Sequence, residues 1–275
     1  MSDPAPLRQT TAQDAFLDGR VMIEQPLEGY RAAMDPVLLA AAVPAVNDRG
    51  RMPGGPVLDL GCGVGTVALC YAWRVPHAKV VGLERDAATA ALARANATAN
   101  GLEGRVEILT GDLLAPPPDL KPGHFAQVMA NPPFHEAVGA VASPHAGRDV
   151  ANREGEAKLS DWIDAMLRAA VPKGGITLIH RADRLSEVLS ALSGRAGDIR
   201  ILPLWPRAGV PAKRVIIHAR KGVRSPDRLL PGLVLHGPGA DEEKGQRYTL
   251  PAQSILRDGM ALPLFDEAST FKSGR

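Results

Sequence analysis

The segment Val57-Leu58-Asp59-Leu60-Gly61-Cys62-Gly63-Val64-Gly65-Thr66 constrains this chain more than any other stretch. A short apolar run leads directly into glycines at alternate positions, and the helix-forming residues Thr66–Arg74 follow. A strand that turns on glycine into a helix opens an α/β sheet whose ligand crevice lies at the carboxyl ends of the strands. A dinucleotide fingerprint needs its last glycine one position further on, where this chain has Thr66.

The pattern continues as an alternation. Strands are expected at Pro56–Leu60, Lys79–Glu84, Arg105–Thr110, Phe125–Ala130, Ile176–His180, Ile199–Leu204 and Lys213–Ala219. Helices are expected at Thr66–Arg74, Asp86–Asn100, Leu159–Val171 and Leu185–Leu192, the third stopped by Pro172-Lys173-Gly174-Gly175. Such alternation implies an α/β, Rossmann-like fold with a seven-stranded, mostly parallel sheet and helices on both faces. The last two strands are joined only by residues 205–212, WPRAGVPA, too short for a parallel crossover, so one strand should be antiparallel.

Upstream, residues 1–15 read as a mobile tail, Phe16–Tyr30 as a hairpin turning at Asp18-Gly19, and Asp35-Pro36 as a helix start with Asp35 as cap. Residues 229–265 read as a small β appendage. The domain reading is therefore an N-terminal extension over 1–50, a main domain over 51–236, and an appendage and tail over 237–275.

Composition narrows the function classes. The sequence has 275 residues, 45% hydrophobic and 23% charged, which is ordinary for a folded domain. No stretch reaches the roughly 18 apolar residues of a membrane helix. The N-terminus lacks the basic start and apolar run of a secretory signal, which points to the cytoplasm and away from a membrane. Cys62 and Cys70 are the two cysteines, and no metal-ligand spacing occurs, so no metal site is expected. The formal net charge is only +2, yet nine basic residues crowd between Arg195 and Arg228 against Asp198 and Asp227. These are Arg195, Arg200, Arg207, Lys213, Arg214, Arg220, Lys221, Arg224 and Arg228, and such an excess can meet phosphates.

Three acids and the glycines describe a cofactor. Gly61, Cys62, Gly63, Gly65 and Thr66 offer backbone and a helix N-terminus to a carboxylate. Asp59 is placed to receive an ammonium group. Glu84, followed by Arg85, ends the second strand, where a carboxylate accepts from ribose hydroxyls. Asp112, followed by Leu113, ends the third, where it can accept from an adenine amino group. The set suits a nucleoside cofactor without phosphates, namely S-adenosylmethionine.

The fourth strand ends in Asn131-Pro132-Pro133-Phe134. The prolines stop strand pairing and hold the residue before them extended. An exocyclic amine conjugated with a base ring is a poor nucleophile. If the Asn131 side-chain oxygen and the Pro132 carbonyl accept its two hydrogens, the lone pair can turn toward a sulfonium methyl without a general base. Phe134 offers a stacking face worth about 1–3 kcal/mol.

Together VLDLGCGVGTVAL, GLERD, GDLL and ANPPF resemble the class I methyltransferases that methylate amino groups. With Gly29–Leu39, the chain resembles the bacterial tRNA1(Val) adenine N6-methyltransferase family over residues 16–236. The resemblance implies S-adenosylmethionine as cofactor, Asp35 and its neighbours in the cofactor pocket, and Arg214 on the substrate side. It implies RNA, in particular tRNA, as partner and adenine N6 near the anticodon as target. Many members carry NPPY where this chain has Phe134. The following His135-Glu136 is similar to the NPPFH of ribosomal-RNA guanine N2-methyltransferases.

His135, Arg148, Asn152 and Arg153 after the motif, and Lys213 with Arg214, are the candidate substrate contacts. Trp162 reads as a core residue, and Trp205 either as a stacking platform for RNA or as loop packing. A protein glutamine N5-methyltransferase is expected to carry a helical N-terminal domain of about 70 residues, which the short segment before the main domain does not supply. A catalytically idle RNA-binding module would show a decayed motif, whereas Asn131, Glu84 and the glycines are intact. Thr66 and the NPPF motif argue against an NAD-dependent dehydrogenase. The oligomeric state is left open.

Overall fold

The computed structural model describes residues 11–27, 31–45, 53–133, 157–237 and 248–264. Strand β1 (Thr11–Phe16) pairs antiparallel with β2 (Val21–Pro26), and helix α1 (Met34–Ala42) follows. The α/β series then runs β3 (Val57–Leu60), α2 (Thr66–Arg74), β4 (Val80–Glu84), α3 (Ala87–Ala99), β5 (Val106–Thr110) and β6 (Phe125–Ala130). It continues through α4 (Leu159–Ala169), β7 (Ala170–Arg181), α5 (Leu185–Leu192), β8 (Ala196–Trp205) and β9 (Arg214–Lys221). Short strands β10 (Arg228–Leu229) and β11 (Leu233–Val234) and helix α6 (Leu250–Leu256) follow among the described residues.

The main sheet has the order β10-β8-β9-β7-β6-β3-β4-β5, with β11 also paired to β8. Strand β9 runs antiparallel to both β7 and β8, and the other pairs are parallel. The expected antiparallel strand is therefore present. Among the described residues the sheet has nine strands where seven were expected, because β10 and β11 each add two residues to β8.

Alternation along each strand divides the apolar residues between two cores. Ile216 of β9 joins the cluster under α1, α2 and α3, while Val215, Ile217 and Ala219 join the cluster under α4 and α5. Helix α1 is buried continuously from Pro36 to Ala42, as a helix enclosed by sheet and neighbouring helices must be. Tyr71 of α2 is fully buried, and its hydroxyl donates to the Pro44 carbonyl at 2.9 Å. Leu235, Ala252, Ile255, Leu262 and Leu264 belong to the α1 cluster, so the described C-terminal residues pack into the main core.

Four local expectations change. Thr11–Phe16 is a strand, although residues 1–15 read as a tail; its register against β2, Thr11 opposite Pro26, is fixed by pairing that its polar sequence does not advertise. Asp35 does not cap α1. The cap position is Ala33, which makes no side-chain bond, and Asp35 lies inside the first turn. Helix α4 stops at Ala169, and the Pro172–Gly175 segment is a bulge inside β7, with the five steps from Ala170 to Gly175 facing two steps on β6. The C-terminal segment holds α6 as well as short strands.

The turn chemistry of α3 follows the sequence. Asp86 caps it by accepting from the Thr89 amide at 2.7 Å, and Gly101 beyond its end adopts φ 66°. Helix α2 is tied down by Asp59 of β3, whose Oδ2 accepts from the Ala68 amide at 3.0 Å. Burial pushes the Asp59 carboxyl up to about 7, against the lowering effect of the Ala68 amide and with a smaller raising contribution from Glu84.

The carboxyl's ordinary value is 3.8, so its stabilising contribution is complete below that pH and is lost as the pH rises through about 7. Asp59→Asn keeps the acceptor for Ala68 and removes the titration. Thermal denaturation of the variant is expected to lose a decline in stability between those pH values on the order of 4 kcal/mol. Equal pH profiles for the two proteins would contradict the assignment.

Candidate active site

A cavity of about 720 Å³ opens at the carboxyl ends of β3, β4, β5 and β6. Its position follows from register: Leu60 pairs with Leu83 of β4 and with Ala130 of β6, so Gly61, Glu84 and Asn131 emerge side by side. Gly61, Cys62, Gly63 and Thr66 line it from the first strand-to-helix turn, and Glu84 with Arg85 from the second. Asp112 and Leu113 line it after β5, and Asn131, Pro132 and Pro133 after β6.

The three glycines have different reasons to be glycine, although all adopt positive φ, 70° at Gly61, 56° at Gly63 and 91° at Gly65. A Cβ on Gly61 would stand 2.4 Å from the edge of the Trp162 indole. Gly61 therefore admits the α4 tryptophan. A Cβ on Gly65 would touch Ala93 of α3 at 3.5 Å, and Gly65 serves as the left-handed cap of α2. A Cβ on Gly63 would meet nothing within 4 Å, so this glycine leaves its backbone open to a ligand.

The carboxylates are held by backbone amides. Glu84 accepts from Gly63 N at 3.0 Å and from Asp86 N at 2.9 Å, which ties the glycine loop to β4. Asp112 accepts from Leu114 N at 2.9 Å. Both keep acceptor capacity for a ligand. Thr66 Oγ1 is buried in the cavity wall with no hydrogen-bond partner among the described residues, an orphan that a bound polar group would satisfy. Among the described residues no His, Cys, Asp or Glu cluster could hold a metal ion.

Other sequence candidates lie elsewhere. Asp59 is buried beneath the loop, bonded to Ala68, and outside the cavity wall, as is Gly65. Asp35 is also outside the wall, which its neighbour Pro36 enters; Asp35 accepts instead from Arg214 Nε at 3.1 Å. The presumed cofactor and substrate contacts are thus each other's partners. Lys213 is exposed at the same end of the sheet. Trp205 donates from its indole to the Pro231 carbonyl at 3.1 Å and packs on Gly232, which is the loop-packing alternative. Trp162 is buried in the core, as read, and also lines the cavity. Phe134, His135, Arg148, Asn152 and Arg153 lie outside the described residues.

The sequence places the α1 segment over the cofactor site, and Pro36 does line the cavity; it does not disclose the part played by the hairpin. Gln25, Pro26, Ala32 and Pro36 line it from the hairpin and α1. Gln25 is buried; its amide donates to Asp14 at 2.8 Å and accepts from Ala32 N at 2.7 Å, joining the hairpin to the entry of α1. Asn96 of α3 and Asn100 at its C-cap, one turn apart, hold β2 as a neighbouring strand would. Asn100 accepts from Met22 N at 2.9 Å and donates to Met22 O at 2.7 Å; Asn96 makes the same pair with Glu24, at 2.9 and 3.0 Å. Asn96 also donates to Val64 O, inside the glycine loop, at 3.0 Å. Asparagines in an Ala-rich helix are poor helix formers, and that was the available signal.

The family model for the methyltransferase small domain matches residues 38–148. A tRNA1(Val) (adenine(37)-N6)-methyltransferase of Porphyromonas gingivalis is 31% identical over 241 residues, covering 78% of this chain and 91% of the relative. The chain belongs to this family of S-adenosylmethionine-dependent methyltransferases. A Ribosomal RNA small subunit methyltransferase C of Pseudomonas putida is 33% identical over 131 residues, covering 42% of this chain and 38% of the relative. Among solved structures, a predicted O-methyltransferase of Agrobacterium tumefaciens superposes with TM-score 0.64 at 25% identity, covering 83% of this chain and 97% of its own. The family's cofactor fits the residues present: an open glycine backbone, anchored carboxylates and an orphaned hydroxyl in one cavity.

Asn96→Ala and Asn100→Ala each remove one pair of bonds to β2, and Asn96→Ala alone also frees the glycine loop. Calorimetric titration with S-adenosylhomocysteine is expected to show about tenfold weaker binding for Asn96→Ala, from losing roughly 1 kcal/mol or more of buried hydrogen bonding, and a smaller change for Asn100→Ala. Equal losses would show that the loop bond does not position the cofactor site.

Proposed function

We propose that this methyltransferase transfers a methyl group to the exocyclic N6 of an adenine in RNA, in the anticodon region of a tRNA. The observation that carries the reading is the position of Asn131-Pro132-Pro133 in the wall of the same cavity as Gly63, Glu84 and Asp112. Two prolines fix the backbone after β6, so the acceptors it presents need no reorganisation during reaction. The Asn131 side-chain oxygen and the Pro132 carbonyl accept the two amine hydrogens and turn the nitrogen lone pair into the cavity. S-adenosylmethionine supplies the electrophilic methyl when bound. Glu84 holds the ribose hydroxyls, Asp112 the adenine amino group of the cofactor, and Gly63 and Thr66 its amino-acid end.

The choice of adenine in tRNA is supported by extent of likeness. The relative named for adenine(37) N6 in tRNA1(Val) aligns along 78% of this chain, whereas the ribosomal-RNA relative aligns along 42%. A base in an anticodon loop is already accessible, so drawing it into a pocket costs little unstacking. The guanine N2 reading remains the second hypothesis because His135-Glu136 follows the motif as it does in that group.

Incubation with labelled S-adenosylmethionine and separate pools of tRNA, ribosomal RNA and protein, followed by nucleoside digestion, is expected to yield N6-methyladenosine from tRNA. Label confined to protein would overturn the proposal, and N2-methylguanosine would replace it with the second reading. Asn131→Ala is expected to lower turnover by at least about a hundredfold while S-adenosylhomocysteine affinity is retained. A near-normal rate in that variant would remove Asn131 from the mechanism.

A further inference from the structure

The basic residues that cluster in sequence are divided by strand direction between two ends of the sheet. At the cavity end, Arg181 is ion-paired with Asp183, Arg184 with Glu187 at 2.5 Å and Arg214 with Asp35 at 3.1 Å. At the opposite end, Arg220 and Lys221 close β9, opposite Gly197 and Ala196 at the start of β8. Arg220 donates to the Lys173 carbonyl at 3.3 Å and Lys221 to the Ala170 carbonyl at 2.8 Å, so both are fixed by backbone. Arg224 is exposed just beyond, where the chain packs on Gly197.

Three carboxylates near this end are engaged elsewhere. Asp164 is bound to Arg195 and Asp198 to Arg200, while Asp227 accepts from Ile199 N. Among the described residues, none ion-pairs with Lys173, Arg220, Lys221 or Arg224.

Lys173 gives an independent indication. It sits in the β7 bulge at φ 62°, a conformation that favours glycine, with its side chain exposed. The glycines that follow are required by packing: a Cβ on Gly174 would lie 2.9 Å from Val171 O, and one on Gly175 would lie 2.1 Å from the Gln127 side chain. Glycine would serve the backbone better at 173 as well, yet the chain places a cation there. Bulges displace the chain from the regular ladder, and at this one the Lys173 carbonyl accepts from Arg220, which brings the two residues together at the same end of the sheet.

We propose that Lys173, Arg220, Lys221 and Arg224 form a docking surface for the sugar–phosphate backbone of a folded RNA, remote from the base that enters the cavity. This inference rests on the RNA reading above. The two ends are separated by the eight residues of β9, roughly 25 Å at about 3.3 Å per residue. An RNA must therefore be folded and longer than this span to touch both. Ordered phosphate contacts add affinity and register without reading sequence.

The test compares wild type, Lys173→Gly and the double variant Lys173→Glu/Arg224→Glu by filter binding. The probes are total tRNA, the isolated stem-loop carrying the methylated base, and phosphatidylserine vesicles. Lys173→Gly removes an unfavourable backbone conformation, so it is expected to keep or raise the melting temperature while weakening tRNA binding. The double variant is expected to bind tRNA at least about tenfold more weakly, with a log–log salt slope shallower by about 2. Stem-loop binding and S-adenosylhomocysteine affinity should be unchanged. Unaltered tRNA affinity and slope would overturn the surface, as would equal losses on the stem-loop. Retention on vesicles in place of RNA would reassign it to a membrane. If wild type binds tRNA through these residues but methylates none, the docking surface stands and the proposed reaction fails.

Discussion

The in-register pairing of Leu60 with Leu83 on one side and Ala130 on the other is the constraint from which the site follows. Three parallel strands end at the same level: Gly61 and Asn131 follow the termini of β3 and β6, and Glu84 is the last residue of β4. A slip of one residue would turn each of these side chains to the opposite face of the sheet. The apolar pattern prevents that slip, because Leu58 and Leu60 belong to one core cluster and Val57 to the other. Core packing thus sets the alignment of glycine loop, carboxylate and amide, and no separate device is needed to bring them together.

The layer above the sheet is assembled mainly by polar groups. The hairpin lies over the cavity because Asn96 and Asn100 supply the donor and acceptor pairs that β2 would otherwise find in another strand. Buried backbone amides and carbonyls must be paired, and side chains at one-turn spacing on a helix meet that requirement for alternate residues of a strand. Asn96 adds the Val64 carbonyl, so hairpin, helix and cofactor loop share one buried side chain. Gln25 then joins the hairpin to α1, and α1 carries Asp35 to Arg214 at the start of β9. The cover is connected to the sheet edge on the substrate side through this series of hydrogen bonds.

Strand direction has a comparable effect on charge. Arg214 and Arg220 are six positions apart on one strand and lie at opposite ends of it, one balanced by Asp35 and the other beside Lys173. A basic run in sequence is therefore two surfaces in space, with different electrostatic character. The near-neutral net charge of +2 conceals this division.

The sequence by itself determined the strand-to-helix alternation, the antiparallel β9, the extent of α3, and the clustering of Gly63, Glu84, Asp112 and Asn131. Each of these depends on local properties: period, loop length, capping chemistry and the fixed rule that ligands meet the carboxyl ends of parallel strands. Tertiary structure decided that β1 is a strand, that Asp35 pairs with Arg214, that Asp59 anchors α2 beneath the pocket, and that Gly61 is glycine for Trp162. It also decided that Lys221 and Lys213 face opposite ends of the molecule. These outcomes depend on which groups meet across long separations in the chain, and partners brought together by packing leave no period or spacing in the sequence that would disclose them.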